Sequence, residues 1–340
     1  MDTQAQLQAT VEALAQPGKG ILAADESSPT IAKRFKAIGV ESTEASRRAY
    51  RSLILATPGL GEYICGVILF EETLAQNADD GTPLPELAAR QGIVPGIKVD
   101  KGKLPLPNAP GEEITVGLDG LEQRLEGYQQ LGARFAKWRD VFHISNTTPS
   151  RLAIEANAEV LARYAGICQA QGVVPIVEPE VLIDGEHGIE RSAEVCEAVL
   201  HAVFHALHRH RIALEHMLLK PSMVIPGKTH PVKAQPQQVA ERTVTVLRRT
   251  VPAAVPSINF LSGGQTPEEA TANLDALNRL PPQPWELSLS YGRALQEPAL
   301  QAWRGDPANA EKAQAALYKR ARLNGAARRG EYTAEMETRD

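Results

Sequence analysis

Cysteine is scarce in this sequence. Three cysteines occur among 340 residues, at Cys65, Cys168 and Cys196, and no two of them have CxxC spacing. An odd number of cysteines without metal-binding spacing argues against a disulfide framework and against a zinc cluster. It is typical of a protein in a reducing compartment such as the cytosol.

Long apolar and long basic segments are also missing. The longest clear apolar run, from Tyr63 to Phe70, is far shorter than the roughly 20 residues that a membrane helix needs. The formal net charge is -5, so nothing here requires nucleic acid or an anionic membrane as a partner. Asp2 and Glu12 interrupt the N-terminal segment, which is not typical of a signal peptide. We therefore expect a soluble cytoplasmic protein.

What the chain has instead is a regular alternation of short apolar runs with helical patterns. Such runs are typical of parallel strands covered by helices. Eight of them occur: Gly20 to Asp25, Gly66 to Phe70, Ile93 to Val99, Phe135 to Ile144, Val173 to Val177, His216 to Lys220, Ser257 to Ser262 and Trp285 to Ser290. We predict one α/β domain over residues 1–340, a (β/α)8 TIM barrel with an N-terminal helix and a C-terminal helical extension.

An open, doubly wound sheet is the structural alternative. It should carry a glycine-rich dinucleotide fingerprint after its first strand, where this chain has Asp25-Glu26-Ser27-Ser28. Local signals predict helix starts and loops. Asp119 with Glu122 and Thr266 with Glu269 have capping-box spacing, and the proline-rich stretch from Leu104 to Pro110 predicts a loop.

Charged and polar residues stand at or near the ends of most predicted strands. In a barrel these ends meet at one rim, where active sites of the fold lie. The rim would contain Asp25, Lys98, Lys137, Arg139, Glu178, Glu180, Lys220, Ser262 and Arg293. We expect their pKa values to perturb one another, because so many charges would share one water-poor mouth.

Lys220 is the candidate nucleophile among these groups. It ends the apolar run Leu218-Leu219-Lys220, and desolvation there would lower its pKa. A neutral amine can attack a carbonyl carbon to form a Schiff base. Taken alone, a lysine that extends to solvent over an apolar stem is the simpler interpretation; the other charged strand ends favour the catalytic one.

Two loops suggest a phosphate site. Ser262-Gly263-Gly264 follows the seventh predicted strand, and Ser290-Tyr291-Gly292-Arg293 follows the eighth, the positions where barrels commonly bind phosphate. Glycines let backbone N–H groups approach an oxyanion, and Arg293 can bind it with a forked guanidinium.

A metal site is the competing possibility. His201, His205 and His208 have helical spacing that could hold a metal ion. The helix would lie outside the barrel rim, and no HExxH pattern is present, so a solvated helix face is the preferred interpretation. Trp138, Trp285 and Trp303 are expected to be packing residues.

Longer motifs show a family resemblance. From about residue 15 to residue 325 the chain resembles class I fructose-bisphosphate aldolases. The matching segments are GKGILAADES, RRAYRSLI, GVILFEETL, GIKVDKG, GLDGL, FAKWR, LARYA, PIVEPE, LLKPSM, TVTVLRRTVP, FLSGGQ and SYGRAL. The resemblance implies reversible, metal-independent cleavage of fructose 1,6-bisphosphate into dihydroxyacetone phosphate and glyceraldehyde 3-phosphate, with no cofactor.

The resemblance also implies roles for individual residues. Lys220 would be the Schiff-base lysine, and Asp25, Lys137, Glu178 and Glu180 would handle protons around it. The substrate-binding positions would be Ser27, Thr30, Lys33, Arg34, Lys98, Arg139, Ser262, Gly263, Gly264, Ser290, Gly292 and Arg293. Thr30 stands where the family more often has serine.

One departure and two alternatives remain. Vertebrate members end in a tyrosine that assists proton transfer, whereas this sequence ends in Arg339-Asp340 and its last tyrosine is Tyr332, so another group is expected to protonate the enamine. A transaldolase-like Schiff-base barrel and a scaffold protein with the aldolase fold are the alternatives. By resemblance the partners are sugar phosphates and copies of the same chain in a homotetramer, with no nucleic acid and no membrane.

Overall fold

The computed structural model describes residues 2–338 and contains ten strands and twelve α-helices within that range. The strands are β1 Gly20–Ala24, β2 Ile64–Leu69, β3 Val94–Lys98, β4 Lys103–Pro105, β5 Glu113–Thr115, β6 Phe135–Phe142, β7 Val174–Val181, β8 Leu218–Leu219, β9 Ser257–Phe260 and β10 Glu286–Tyr291. The helices are α1 Thr3–Leu14, α2 Ser28–Ala37, α3 Glu44–Leu55, α4 Glu71–Leu74, α5 Leu84–Ala89, α6 Leu121–Gln130, α7 Arg151–Ala170, α8 Ile189–Arg209, α9 Pro236–Thr250, α10 Pro267–Arg279, α11 Arg293–Trp303 and α12 Ala310–Ala327.

Eight of the strands close into a parallel barrel in the order β1-β10-β9-β8-β7-β6-β3-β2, which confirms the predicted fold. The barrel strands are almost wholly buried because one face points into the barrel and the other packs against helices. Trp138, for example, is fully buried and stacks on Tyr164 of α7, with ring centroids 5.5 Å apart. Trp285 and Trp303 are buried as well, as expected.

Helix α1 closes the amino-terminal mouth of the barrel. Its Leu7, Val11 and Leu14 join Phe135 and Leu218 in one buried apolar cluster. Gly96 of β3 makes this packing possible, since a Cβ there would lie 2.4 Å from the Phe135 ring. Helix α1 therefore covers the amino-terminal mouth with apolar side chains, while the charged strand ends lie at the carboxyl-terminal mouth.

Two local predictions were wrong. The stretch predicted as a loop from Leu104 to Pro110 begins inside an antiparallel pair, in which β4 and β5 bond to each other. The Asp119 and Glu122 capping box does not form, because Gly120 occupies the N-cap of α6 in a left-handed conformation (φ 66°) and no side chain caps that helix. The Thr266 and Glu269 capping box of α10 is confirmed.

No helix within residues 2–338 is both long enough and apolar enough to cross a bilayer.

Candidate active site

The carboxyl-terminal mouth of the barrel contains a cavity of about 930 Å³. All seventeen residues singled out by the sequence line it. They come from strand ends and from the loops and helix starts that follow, because parallel strands deliver their carboxyl ends to one rim. The lining of the cavity includes both the Ser262 loop and Lys33 and Arg34 of α2.

Four alternating charges lie at the base of the cavity. The Lys220 ammonium lies 3.2 Å from Glu178 Oε1, while Lys137 lies 3.1 Å from Glu178 Oε2 and 2.8 Å from Asp25 Oδ2. Lys220, Lys137 and Glu178 are each only 3% exposed. The apolar run that ends at Lys220 gave no sign of a charged partner, but the Glu178 carboxylate of the neighbouring strand β7 reaches its ammonium group.

The pKa values of the two inner groups show how strongly these charges interact. Burial raises the pKa of Asp25, but the nearby ammonium groups of Lys137 and then Lys220 lower it more, so the pKa lies well below its usual value. Burial lowers the pKa of Lys137, but Asp25 and Glu178 raise it more, and the result lies well above the usual value. Lys137 and Asp25 are therefore held as a charged pair beside Lys220.

Two further ion pairs line the wall. Arg139 of β6 binds Glu180 of the neighbouring strand β7 at 2.5 Å, one side-chain repeat beyond Glu178, the residue that aligns with Arg139. Lys98 binds Asp100 at 2.5 Å, two residues along the chain. Asp100 was not singled out as a site residue, although its place directly after an apolar run gave the same signal that identified the others.

The glycine loop after β9 adjoins Arg293. Gly263 and Gly264 have positive φ angles of 49° and 85°, which residues with a Cβ adopt rarely. A Cβ on Gly264 would lie 3.9 Å from Arg293 Nη2 and would meet the Ile183 side chain at 2.8 Å. The loop thus brings backbone close to the guanidinium, and the Ser290 hydroxyl of β10 is buried nearby with no hydrogen-bond partner among residues 2–338.

The opposite side of the cavity is built from the segment after β1. Ser27 and Thr30 hydroxyls lie 3.2 Å apart at the start of α2, and Lys33 and Arg34 follow on the same helix. Arg34 contacts Glu26, a buried cavity residue that was not singled out. Its signal was present in the Asp25-Glu26 pair that ends the first apolar run.

The histidine helix takes no part in this cavity. His201, His205 and His208 are exposed on α8, as the solvated-face interpretation expected. No group of three or more His, Cys, Asp or Glu residues within the described part of the chain is placed to hold a metal ion. Tyr332 is buried and bonds to Glu337 away from the cavity lining, and Arg339-Asp340 lies outside the described residues.

The fold and the cavity together define a class of enzyme. A buried lysine beside a carboxylate, with a second lysine and carboxylate behind it, can form and hydrolyse a Schiff base on a carbonyl substrate. Cations at both sides of the cavity suit a substrate that carries anionic groups at its ends. This is the arrangement of a Schiff-base lyase built on a (β/α)8 barrel.

Comparison with known proteins identifies the family. The family described as "Fructose-bisphosphate aldolase class-I" matches residues 6–340. The chain is 54% identical over 96% of its length to a "Probable fructose-bisphosphate aldolase class 1" of Xanthomonas campestris, covering 98% of that protein. It is 55% identical over 94% of its length to "Fructose-bisphosphate aldolase C" of Pan troglodytes, covering 89% of that protein.

A solved structure agrees. Fructose-bisphosphate aldolase from Plasmodium falciparum, solved in complex with TRAP and a small-molecule inhibitor, superposes with a TM-score of 0.97, at 49% identity, over 98% of this chain and 96% of that one. The chain belongs to the class I fructose-bisphosphate aldolase family. It is a lyase of glycolysis that cleaves fructose 1,6-bisphosphate through a lysine Schiff base, the general chemistry of class I. This decides against the transaldolase-like alternative.

Proposed function

We propose that Lys220 is the nucleophile of this reaction and that Glu178 serves it as acid and base. One observation carries the proposal: Lys220 is 3% exposed, and its ammonium lies 3.2 Å from Glu178 Oε1. Glu178 can take a proton from Lys220 and free the amine to attack C2 of the ketose. The same carboxyl group can then return the proton to the C2 hydroxyl as water leaves the carbinolamine.

Cleavage of the C3–C4 bond needs a base for the C4 hydroxyl proton. Asp25 lies against Lys137 at 2.8 Å, and the lowered pKa keeps this carboxylate ionised until substrate arrives. As Asp25 accepts the proton, the C3–C4 electron pair moves into the protonated imine and leaves an enamine on Lys220. Lys137, whose ammonium form is favoured by two carboxylates, stabilises negative charge on the C4 oxygen.

The barrel order suggests which phosphate binds at which side. C1 is directly bonded to C2, so its phosphate must lie near Lys220, which directly follows β8. Strand β9 is the neighbour of β8, whereas β1 lies two strands further around the barrel. We therefore assign the C1 phosphate to Ser262, Gly263, Gly264, Ser290, Gly292 and Arg293, and the C6 phosphate to Ser27, Thr30, Lys33 and Arg34, with Lys98 and Arg139 between them.

Reduction by borohydride tests the central assignment. With dihydroxyacetone phosphate present, borohydride should reduce the imine to a stable amine and abolish activity, and peptide mass spectrometry should find the adduct on Lys220. Lys220→Arg should fold and lose both activity and trapping, because a guanidinium stays protonated. Lys233→Arg, at an exposed position, is the matched control and should trap like the parent. An adduct on Lys98 or Lys137 would overturn the assignment.

The remaining proposals concern the whole molecule. We propose that residues 1–340 work as one domain and that the chain assembles as a cytoplasmic homotetramer, on the strength of the family alone. Sedimentation equilibrium should give a mass near four times 36.8 kDa. A monomer with full activity would refute the assembly and leave the chemistry intact.

A further inference from the structure

Glu26 is an acidic side chain in a place where acid should be harmful. It lines the cavity on the side assigned to the C6 phosphate, and its side chain is only 5% exposed. A carboxylate near a phosphate repels it, and in a poorly solvated site this repulsion is weakly screened. The presence of Glu26 at this position therefore requires a structural explanation.

Each Glu26 oxygen is bound by a different arginine. Oε2 accepts from Arg51 of α3, which is 2% exposed, and Oε1 accepts from Arg34 of α2, which reaches the cavity. Burial raises the pKa of Glu26, but Arg51 and then Arg34 lower it more, so the pKa lies below its usual value and the group stays ionised. One carboxylate is shared by two guanidinium groups, which leaves a net positive charge.

Gln296 of another helix also fixes the Glu26 carboxylate. Its side-chain NH2 group donates to Glu26 Oε1 at 2.8 Å and to the Ala23 carbonyl of β1 at 2.7 Å. Gln296 belongs to α11, the helix that begins at Arg293 directly after the Gly292 loop. Glu26 is thus held by buried groups of α3 and α11, and among its partners within residues 2–338 Arg34 is the one that is partly exposed, at 24%.

We propose that Glu26 is a positioning residue that sets the preference of the enzyme for a ketose with two phosphates. Anchored by Arg51 and Gln296, it holds the Arg34 guanidinium in the cavity wall before substrate binds. A guanidinium has five N–H donors, so Arg34 can bind Glu26 and the C6 phosphate together. Less side-chain ordering is then left for the binding step. The inference rests on the proposed role of Arg34.

The variant Glu26→Gln separates positioning from simple charge. If Glu26 acted only through its charge, removing it would strengthen phosphate binding and lower KM for fructose 1,6-bisphosphate. If it positions Arg34, KM for that substrate rises. Fructose 1-phosphate has no C6 phosphate and provides the reference. We expect the ratio of kcat/KM values, bisphosphate over monophosphate, to fall about tenfold, within the range of a lost charged hydrogen bond, with most of the change in KM.

Two further variants complete the design. Glu72→Gln removes the carboxylate from another arginine pair of α3, Arg47 with Glu72 at 2.6 Å, which lies outside the cavity lining; it should leave the ratio unchanged. Gln296→Met removes the amide that donates to Glu26 and accepts from Arg51 at 3.4 Å, while the pairs of Glu26 with Arg51 and Arg34 remain. It should also lower the ratio of kcat/KM values, by a smaller factor than Glu26→Gln. If circular dichroism shows that Glu26→Gln does not fold, Gln296→Met serves as the test instead.

A double-mutant cycle with Arg34→Ala gives the final test. In the Arg34→Ala background, Glu26→Gln should cost little further selectivity, because the residue that it positions is gone. Three results would each overturn the inference: fully additive effects of the two substitutions on the ratio, a lowered KM in Glu26→Gln, or equal losses of kcat/KM on both substrates. If Arg34→Ala alone leaves the bisphosphate kinetics unchanged, the role of Arg34 fails as well. If only Glu26→Gln is silent, the role of Arg34 stands and the positioning inference fails.

Discussion

Asp140 should make the protein less stable as the pH rises through the neutral range. Its side chain is fully buried on the outer face of β6, where Oδ1 accepts from Trp138 Nε1 at 3.0 Å and Oδ2 has no hydrogen-bond partner among residues 2–338. Burial raises the pKa of Asp140 to about 8; polar contacts with Thr115 and Trp138 oppose this by less, and Asp100 and Glu178 add to it.

The sign and size of the effect follow from proton linkage. Between its ordinary pKa of 3.8 and the folded value of about 8, Asp140 carries a proton in the folded state and none in the unfolded state. Folding then takes up a proton, so the free energy of unfolding falls by about 1.4 kcal/mol per pH unit over this interval. From pH 5.5 to pH 7.0 the loss amounts to about 2 kcal/mol.

Asp140→Asn isolates this contribution, because an amide copies the shape of a protonated carboxyl group and keeps an acceptor for Trp138. Urea unfolding of both proteins at several pH values should give a difference in unfolding free energy that grows with pH in favour of the variant. It should level off above about pH 8. Asp119→Asn, at an exposed position, should show no such slope. Parallel curves for the parent and Asp140→Asn would refute the reasoning.

Two predictions concern catalysis. Arg293→Ala removes a guanidinium from beside the Gly264 loop. The kcat/KM value for fructose 1,6-bisphosphate should fall about 10- to 150-fold, mainly through KM, as expected for a lost charged hydrogen bond. An equal loss on an unphosphorylated ketose would show that Arg293 supports the catalytic centre instead. Activity should survive exhaustive dialysis against EDTA, because the imine accepts the electrons; loss with EDTA and recovery with Zn²⁺ would revive the histidine-helix hypothesis.

The barrel was predictable because its signal is local. Each of its eight strands overlaps one of the runs that the sequence analysis named. The β4–β5 pair was missed because its residues are mostly exposed or half-buried, so no alternation of apolar and polar side chains marks it. Strand β8 was predicted to run from His216 to Lys220 and contains only Leu218–Leu219, since apolar composition cannot tell a strand from the extended chain beside it.

The sequence predicted which residues line the site better than it predicted which of them contact one another. The apolar run before Lys220 indicated this residue. Its partner Glu178, 3.2 Å away, lies 42 positions earlier in the chain. Such pairs depend on barrel register, which no local pattern contains. Glu26 had a local signal in the Asp25-Glu26 pair, but its partners Arg51 and Gln296 lie 25 and 270 positions along the chain, so its contacts could not be predicted.

The four groups at the base of the cavity and the groups at its two sides belong to different kinds of structure. Lys137 and Glu178 lie within β6 and β7, and Asp25 and Lys220 directly follow β1 and β8, so the barrel frame fixes their spacing. Arg34 and Arg293 lie on helices, after the strands have ended. A library that varies only the helix and loop positions should therefore yield aldolases with altered donor and acceptor preference that keep the carbon–carbon bond chemistry. This makes the chain a suitable starting point for directed evolution of synthetic aldol reactions.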